Sequence, residues 1–514
     1  MKNSNQRKTG AILSYVSIGI NLLIQLLYTP FLIAKMGQSE YGLYSLIASI
    51  IGYLTVLDLG FGNAIIVYTS KYKVQNKIEE EKKLHGMFKL VFIILGIIVG
   101  IIGIILFFNV NNLFGNTMTS VELYKAKIMM LIVSFNLFLT FVFNIYSSII
   151  TAYEKFTYQK LIAILGNILK PLIMIPFLLM GFKSVTMCCV LTIVNIIIVL
   201  SNYIFCKKKL KINIKYSGFD KSVFGTVLSY SIWIFLAAIV DKANWSVDNF
   251  ILGAVSGTVA VSIYSVAATI NNLFISLSTA ISGVLLPKVS KMVAQNATRE
   301  DLTNEMIKVG RIQYYVIFLI CSGFVLFGKQ FLLLWVGKGF EESYYVTLFL
   351  TVPLCIPLIQ NLGISIMQAM NKFRFKSITT FVMAIANIII SIFLTKKLGA
   401  IGAAIGTCIS LIICNIIIMN IYYHKELKLN MFKFWGSIIK QSISFIIPIS
   451  IILIVLKYIS LHGWLGFIIY VSVYSLIYSI TAYLLSMNNY EKEFINNILT
   501  KFHLRKVNYA RNSK

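Results

Sequence analysis

The sequence predicts an all-α integral membrane protein of about fourteen spanning helices. Three observations point there. Of the 514 residues, 58% are hydrophobic and only 12% charged, and the mean hydropathy is +0.83; a soluble domain is roughly 45–50% apolar and about 25% charged. The apolar residues come in runs of about twenty, the length that crosses a bilayer's hydrocarbon. The basic residues sit between those runs, in segments alternately rich and poor in Lys and Arg. So much apolar surface cannot be enclosed in one aqueous core, so lipid is the solvent for most of the chain.

In chain order the runs lie near 11–34, 42–67, 88–108, 126–150, 161–181, 184–205, 224–253, 258–286, 312–334, 344–370, 377–395, 399–423, 438–456 and 464–486. The first follows a basic N-terminus, Met1–Lys8, but it is longer than a signal sequence's apolar region, and no small-residue cleavage site follows it. It therefore reads as an uncleaved helix. Several connections, such as Gly181–Lys183 and Gly253–Gly257, are so short that they imply tight helical hairpins.

The net charge of +28 comes from 46 Lys+Arg against 18 Asp+Glu. With the N-terminus in the cytoplasm, 35 of the 46 fall on inside segments and 9 on outside ones. The richest inside segments are Lys71–Lys89, Lys207–Lys221 and Lys492–Lys514. The remaining two, Lys170 and Lys242, lie inside helices. This asymmetry obeys the positive-inside rule only for an even number of spans, and it places both termini in the cytoplasm. The basic clusters suit anionic lipid headgroups. No folded soluble module presents them to nucleic acid, which is excluded as a partner. The seven cysteines have no metal-type spacing and read as small membrane-core side chains. The four histidines, His85, His424, His462 and His503, are read into loops or the tail and form no metal site.

A weak internal repeat divides the chain. Ala152-Tyr-Glu-Lys155-Phe156 matches Ala369-Met-Asn-Lys372-Phe373, Ser14-Tyr15 matches Ser229-Tyr230, and Tyr44-Ser45 matches Tyr264-Ser265. The separations are 217, 215 and 220 residues. The repeats predict an N-terminal lobe over 1–220, a second six-helix lobe over 221–437, and a trailing helix pair with a basic cytoplasmic tail over 438–514. Six spans per repeat preserve orientation, so the pseudo-symmetry axis runs along the membrane normal, as in transporters that bind cargo between two parallel repeats.

The stretch Gly37-Gln-Ser-Glu-Tyr41-Gly42-Leu-Tyr44-Ser45-Leu, followed by Leu57-Asp58-Leu-Gly60-Phe-Gly62-Asn63, resembles the N-terminal signature of bacterial polysaccharide-unit flippases, the O-antigen and capsule type. Lys155-Phe156 and Leu398-Gly399-Ala400-Ile-Gly402-Ala403-Ala404 resemble further landmarks of that group. It belongs to the multidrug/oligosaccharidyl-lipid/polysaccharide (MOP) exporter superfamily. The resemblance implies a V-shaped, MATE-like pair of lobes in the bacterial cytoplasmic membrane. It also implies a task, moving an undecaprenyl-diphosphate-linked oligosaccharide to the outer leaflet beside a glycan polymerase or glycosyltransferases. No cofactor is implied beyond H+ or Na+ coupling.

Charges at membrane depth cost from about 2.5 to above 10 kcal/mol, so each marks a functional candidate. Helix seven carries Asp241, Asn244, Trp245 and Asp248, which share one face within about 100°. Asp241 and Asp248 are candidates for ion coupling, and Asn244 and Trp245 for the cavity; the alternative is internal pairing of the acids with Lys242 or a neighbouring Lys. Lys170, beside Pro171, could neutralise a diphosphate or pair with an acid across the bundle. Asn21, Gln25 and Tyr28 make a second polar stripe, on helix one, for the cavity or for interhelical hydrogen bonds. Arg311 stands at the cytoplasmic end of helix nine, as a diphosphate contact or a positive-inside residue. Asp58, with Gly60 and Gly62 beside it, reads as structural or gating. Pro171, Pro353 and Pro357 free backbone carbonyls and permit bending.

A membrane-embedded enzyme is excluded by short outer loops, the longest about Val110–Lys125, and by the lack of a clustered acidic motif on a cytoplasmic loop. The remaining alternatives share the superfamily: a peptidoglycan-precursor flippase, or a cation-coupled multidrug exporter.

Overall fold

The computed structural model describes residues 2–212, 214, 216, 218–225, 227–229, 231, 235, 239, 242, 247–282, 286–370, 372–458, 462–493 and 496. Among the described residues the protein is helical, and twelve helical runs are long and apolar enough to cross a membrane. It is a multi-pass membrane protein. The chain divides into two compact units, one comprising Met1–Thr269, Tyr345–Thr347 and Thr380–Ser410, the other Ile270–Tyr344, Leu348–Thr379 and Leu411–Lys514.

The first unit contains α1 (Lys2–Met36), α2 (Gln38–Leu54), α3 (Phe61–Val74), α4 (Ile78–Phe114), α5 (Ser120–Ala152), α6 (Phe156–Leu179), α7 (Ser184–Lys208), α8 (Val247–Val255) and the start of α9 (Gly257–Ser282). Its core lies where α3, α4 and α5 meet, around Phe61, Ile65, Phe88, Phe92 and Ile145. Helix α4 extends well past the apolar run at 88–108. Glu79, Glu80 and Glu81 in its first turn complement the helix dipole and carry it on into water. That extension corrects the reading of His85, which is buried on α4 and bonded to Thr69 (3.0 Å) rather than in a loop. Helix α5 begins at a capping box, Thr119 with Glu122.

The second unit holds α10 (Leu286–Ala294), α11 (Arg299–Trp335), most of α12 (Glu342–Ile359), α13 (Asn361–Ala369), α15 (Met419–Lys425), α16 (Met431–Gln441), α17 (Ile443–Tyr458) and α18 (Gly463–Thr481). Its core gathers Tyr314, Ile366, Tyr423, Phe434, Phe445 and Tyr478. The trailing helices are fastened to α11 by polar bonds within an apolar seam. Tyr478 donates to the Tyr315 carbonyl (3.0 Å), Tyr474 pairs with Ser322 (2.6 Å), and Ser442 pairs with Tyr314 (2.5 Å).

Two predicted spans are broken inside, and a third break falls between the spans predicted at 377–395 and 399–423. The run 42–67 is interrupted by a 3-10 turn over Thr55–Asp58 and by Leu59 and Gly60, both at positive φ (54° and 73°). The run 344–370 breaks at Gln360, just after the helix that carries Pro353 and Pro357. Helix α14 (Phe373–Leu411) folds back at Gly399, where φ is 54° and ψ −132°. Asn387 bonds Thr407 (3.3 Å), Ser391 bonds the Ala403 carbonyl (3.4 Å) and Ser410 bonds the Met383 carbonyl (3.1 Å), so two antiparallel helices face each other across that residue. The predicted spans 377–395 and 399–423 thus fall on the two arms of one continuous apolar run, Phe373–Lys425. The predicted span 224–253 falls largely outside the described residues.

Gly399 is glycine for its backbone alone, since a Cβ there would meet nothing within 4 Å. Gly399→Ala is expected to destabilise by about 1–3 kcal/mol, the cost of holding a side chain in glycine-only backbone space. Gly19→Ala, in an equally open but helical position, should leave stability unchanged or raised. Thermal unfolding of the two variants in detergent makes the comparison.

Candidate functional site

The most completely built polar site among the described residues surrounds Asp248. It sits in the first turn of α8, fully buried. Its Oδ2 accepts from Tyr264 on α9 (2.5 Å) and from Thr407 on the second arm of the hairpin (2.8 Å). Asn387 and Ser391 stand on the first arm, four residues apart and so on one face, with Ser391 donating to the Asn387 amide oxygen (3.1 Å). Asp248 Oδ1 has no hydrogen-bond partner among the described residues. A buried carboxylate with one oxygen held and the other open is expensive unless it binds a proton or a cation. The hydroxyls of Thr407 and Ser391 and the amide oxygen of Asn387 nearby are hard oxygen donors of the kind that holds a small hard cation. Among the described residues no three His, Cys, Asp or Glu side chains converge as a metal cluster.

Asp241, Asn244 and Trp245, the rest of the predicted stripe, lie outside the described residues. Of that helix Lys242 is described. Tyr53 donates to its carbonyl (3.4 Å), and its ammonium lies beside Gly52. Lys170 is half-buried on α6, with no ion-pair partner among the described residues. Helix α6 runs unbroken through Pro171 and Pro176 and packs along α1, which bears Asn21, Gln25 and Tyr28. Asn21 is half-buried, Gln25 is exposed, and the Tyr28 hydroxyl meets the Met187 sulfur on α7 (3.7 Å).

Asp58 ends the 3-10 turn ahead of α3. Its carboxylate accepts from the Gly62 amide and from Asn144 Nδ2 (2.7 Å), capping α3 and tying it to α5. Gly62 lies close against Ser148, where a Cβ would come within 3.2 Å.

Arg311 is placed in a buried clamp within the second unit. Nε and Nη2 reach the two carboxylate oxygens of Glu491 (2.5 and 2.8 Å), while the Ser486 and Ser437 carbonyls accept from Nη2 and Nη1 (2.9 and 3.2 Å). Its fork is thus occupied by the segments on either side of α17 and α18. Pro353 is buried and Pro357 half-buried in α12, just before the break at Gln360. Gln360 donates to Asn420 (2.9 Å), which also accepts from the Trp435 indole (2.7 Å).

Reading by type picked out Asp248 but missed Thr407, Asn387 and Ser391. Small polar residues in apolar runs commonly bond their own helix. The available signal was the 387/391 spacing on one face, ahead of the glycine turn.

Removing one partner of a buried, hydrogen-bonded ion pair costs about 3–5 kcal/mol, whereas replacing both by apolar groups costs little. Arg311→Ala should therefore lower the Tm in detergent sharply, and Arg311→Met with Glu491→Leu should recover most of the loss. An Arg311→Ala protein with the parental Tm would show that the clamp contributes nothing.

The model of the polysaccharide biosynthesis protein family matches residues 8–293. A putative O-antigen transporter of Shigella flexneri is 20% identical over 415 residues, covering 78% of this chain and 94% of that one. Among solved structures, the lipid II flippase MurJ in an inward closed conformation aligns with TM-score 0.72 at 20% identity, over 92% of this chain and 97% of that one. An inward-facing multidrug-resistance MATE family transporter of the MOP superfamily aligns with TM-score 0.59 at 16% identity, over 78% of this chain and 96% of that one. These relatives are named transporters and flippases, and the fold is theirs. With more than half of its length matched by the family model, the chain belongs to the polysaccharide biosynthesis protein family.

Proposed function

We propose that this chain is a flippase carrying an undecaprenyl-diphosphate-linked oligosaccharide unit from the cytoplasmic to the outer leaflet for surface polysaccharide synthesis, by ion-coupled alternating access. The observation that carries the transport reading is the Asp248 site: a buried carboxylate, half satisfied, held jointly by α8, α9 and the Gly399 hairpin. A proton or Na+ bound there neutralises Asp248 and draws the three elements together. Its release leaves a bare charge that favours their separation, and this gives the two occupancies different preferred conformations. The cargo reading rests on the family and on the O-antigen relative.

Fourteen crossings in the arrangement 1–220, 221–437 and 438–514 are part of this reading, supported by the twelve long runs, the fold-back at Gly399 and the apolar run at 224–253. The charge asymmetry supports a cytoplasmic placement of both termini. Lys170 serves as a cationic contact for the diphosphate, with Asn21, Gln25, Tyr28, Asn244 and Trp245 as polar contacts for sugar. Asp241 assists coupling, and Asp58, Gly60, Gly62 and the helix prolines serve bending and gating. A glycan polymerase or glycosyltransferases receive or supply the unit. A peptidoglycan-precursor cargo is the second reading, favoured by the coverage of the MurJ likeness, which takes in 92% of this chain. The MATE likeness takes in 78%, which makes a multidrug substrate the weaker alternative.

In a strain lacking its own repeat-unit flippase, the chain should restore surface polysaccharide. Asp248→Ala and Lys170→Ala should each reduce it by about tenfold or more at unchanged expression, a loss of about 1.4 kcal/mol. Full export by either variant removes that residue from the mechanism. Rescue of a strain lacking its peptidoglycan-precursor flippase, without polysaccharide rescue, would select the second cargo. The coupling ion is read from stability. A rise in Tm in NaCl over choline chloride that Asp248→Asn and Thr407→Val abolish assigns sodium. Transport driven by a pH gradient without that rise assigns protons.

A further inference from the structure

At one end of the first unit, four connections meet in a polar cluster. Glu122, at the third position of α5, divides its carboxylate. Oε2 accepts from the Thr119 amide and hydroxyl (both 2.8 Å), completing the helix cap. Oε1 is thereby aimed outward, where it accepts from Ser39 on α2 (2.5 Å) and from Thr258 on α9 (2.7 Å). Thr117 bonds the Gly253 carbonyl at the end of α8 (2.7 Å), and Phe114 meets Phe250 edge to face (5.7 Å). The backbones touch as well. A Cβ at Gly42 would lie 1.8 Å from the Thr258 carbonyl oxygen, and one at Gly257, whose φ is +82°, would lie 2.8 Å from the Thr117 carbonyl oxygen. Beside this cluster, Glu40 accepts from Lys125 and from the Ser184 hydroxyl, strapping α2, α5 and α7 together.

The two acids therefore do different things. The Glu40 ion pair lies wholly within the first sequence repeat and makes three of its helices one body. Glu122 reaches from that body to the turn at 253–258, in the second repeat, through hydroxyl bonds that water can replace. Helices α2 and α9 carry the Tyr44-Ser45 and Tyr264-Ser265 motifs of the repeat, so the N-terminal ends of two repeat-related helices meet here. The connections involved, near residues 37, 117, 183 and 256, are all on the outside in the topology that the Lys and Arg distribution dictates.

Resting on the transport reading above, we propose that the 253–258 turn is the closing element of the outer end of the transport path, and that Glu122 is the positioning residue that holds it shut through Thr258. Gly42 sets how closely the turn seats. Opening to the outside breaks the Glu122–Thr258, Ser39–Thr258 and Thr117–Gly253 contacts and leaves the Glu40 strap intact.

The test uses the full-length protein with Cys188, Cys189, Cys206, Cys321, Cys355, Cys408 and Cys414 replaced by alanine. Ser39→Cys with Thr258→Cys places two thiols where the hydroxyls are 3.3 Å apart. Oxidation should cross-link them and stop export, and reduction should restore it. In parallel, a cysteine at the buried Ser45 position reports access from outside. A membrane-impermeant maleimide should label it slowly in the parent and severalfold faster with Glu122→Ala. Thr258→Val, which leaves the α5 cap intact, should give the same increase, so a folding defect of the first variant does not decide the matter. Export by the cross-linked protein at the uncross-linked rate, or labelling indifferent to both substitutions, overturns the proposal. If no strain shows export by the parent while labelling still rises in both variants, the closure stands and the cargo reading fails.

Discussion

In hydrocarbon a backbone amide finds its partner in its own helix, and a polar side chain finds one only in another side chain or a freed carbonyl. That constraint organises this molecule. At several helix ends among the described residues, a specific group takes over the loose ends. Asp58 accepts from the start of α3 after the turn at Leu59 and Gly60. The tyrosines of the trailing helices reach into α11, one of them to a backbone carbonyl. The hairpin at Gly399 is closed by side-chain bonds between its arms. The breaks are therefore placed features, and each joins helices that apolar packing alone would leave free to slide.

The same constraint separates two kinds of buried charge. Arg311 and Glu491 satisfy each other completely, with the leftover donors spent on backbone carbonyls. Such a pair does not gain by changing its protonation or its partners, and it fastens the trailing helices to α11. Asp248 is the opposite case, with one oxygen bonded twice and the other without a partner among the described residues. Its free energy depends on what it binds, which makes it responsive where the Arg311 clamp is inert. Glu122 is intermediate: one oxygen is committed to its own helix cap and the other reaches across to another helix.

Much of the fold was legible because its cause is one-dimensional. Run length alone marks the twelve helical runs long and apolar enough to cross a membrane. The short connections at Gly181 and Gly257 appear as turns at positive φ. What escaped were the continuations of helices into water, as in α4, where a polar sequence looks like a loop although its acidic first turn suits the helix dipole. His85 was misplaced for that reason. The internal breaks also escaped, since hydropathy does not respond to a single positive-φ residue such as Leu59.

The candidate site divides the same way. The sequence by itself placed Asp248 as a carboxylate within an apolar run, where the residues around it favour burial. Only the tertiary structure decided that Thr407 and Tyr264 hold one of its oxygens, that Asn387 and Ser391 stand beside them, and that Arg311 is spent on Glu491. These partners lie up to 180 residues away along the chain. Composition and periodicity describe each helix against lipid, whereas contacts of this kind depend on how helices are rotated and set in height against one another. Those are set by packing among all of them at once.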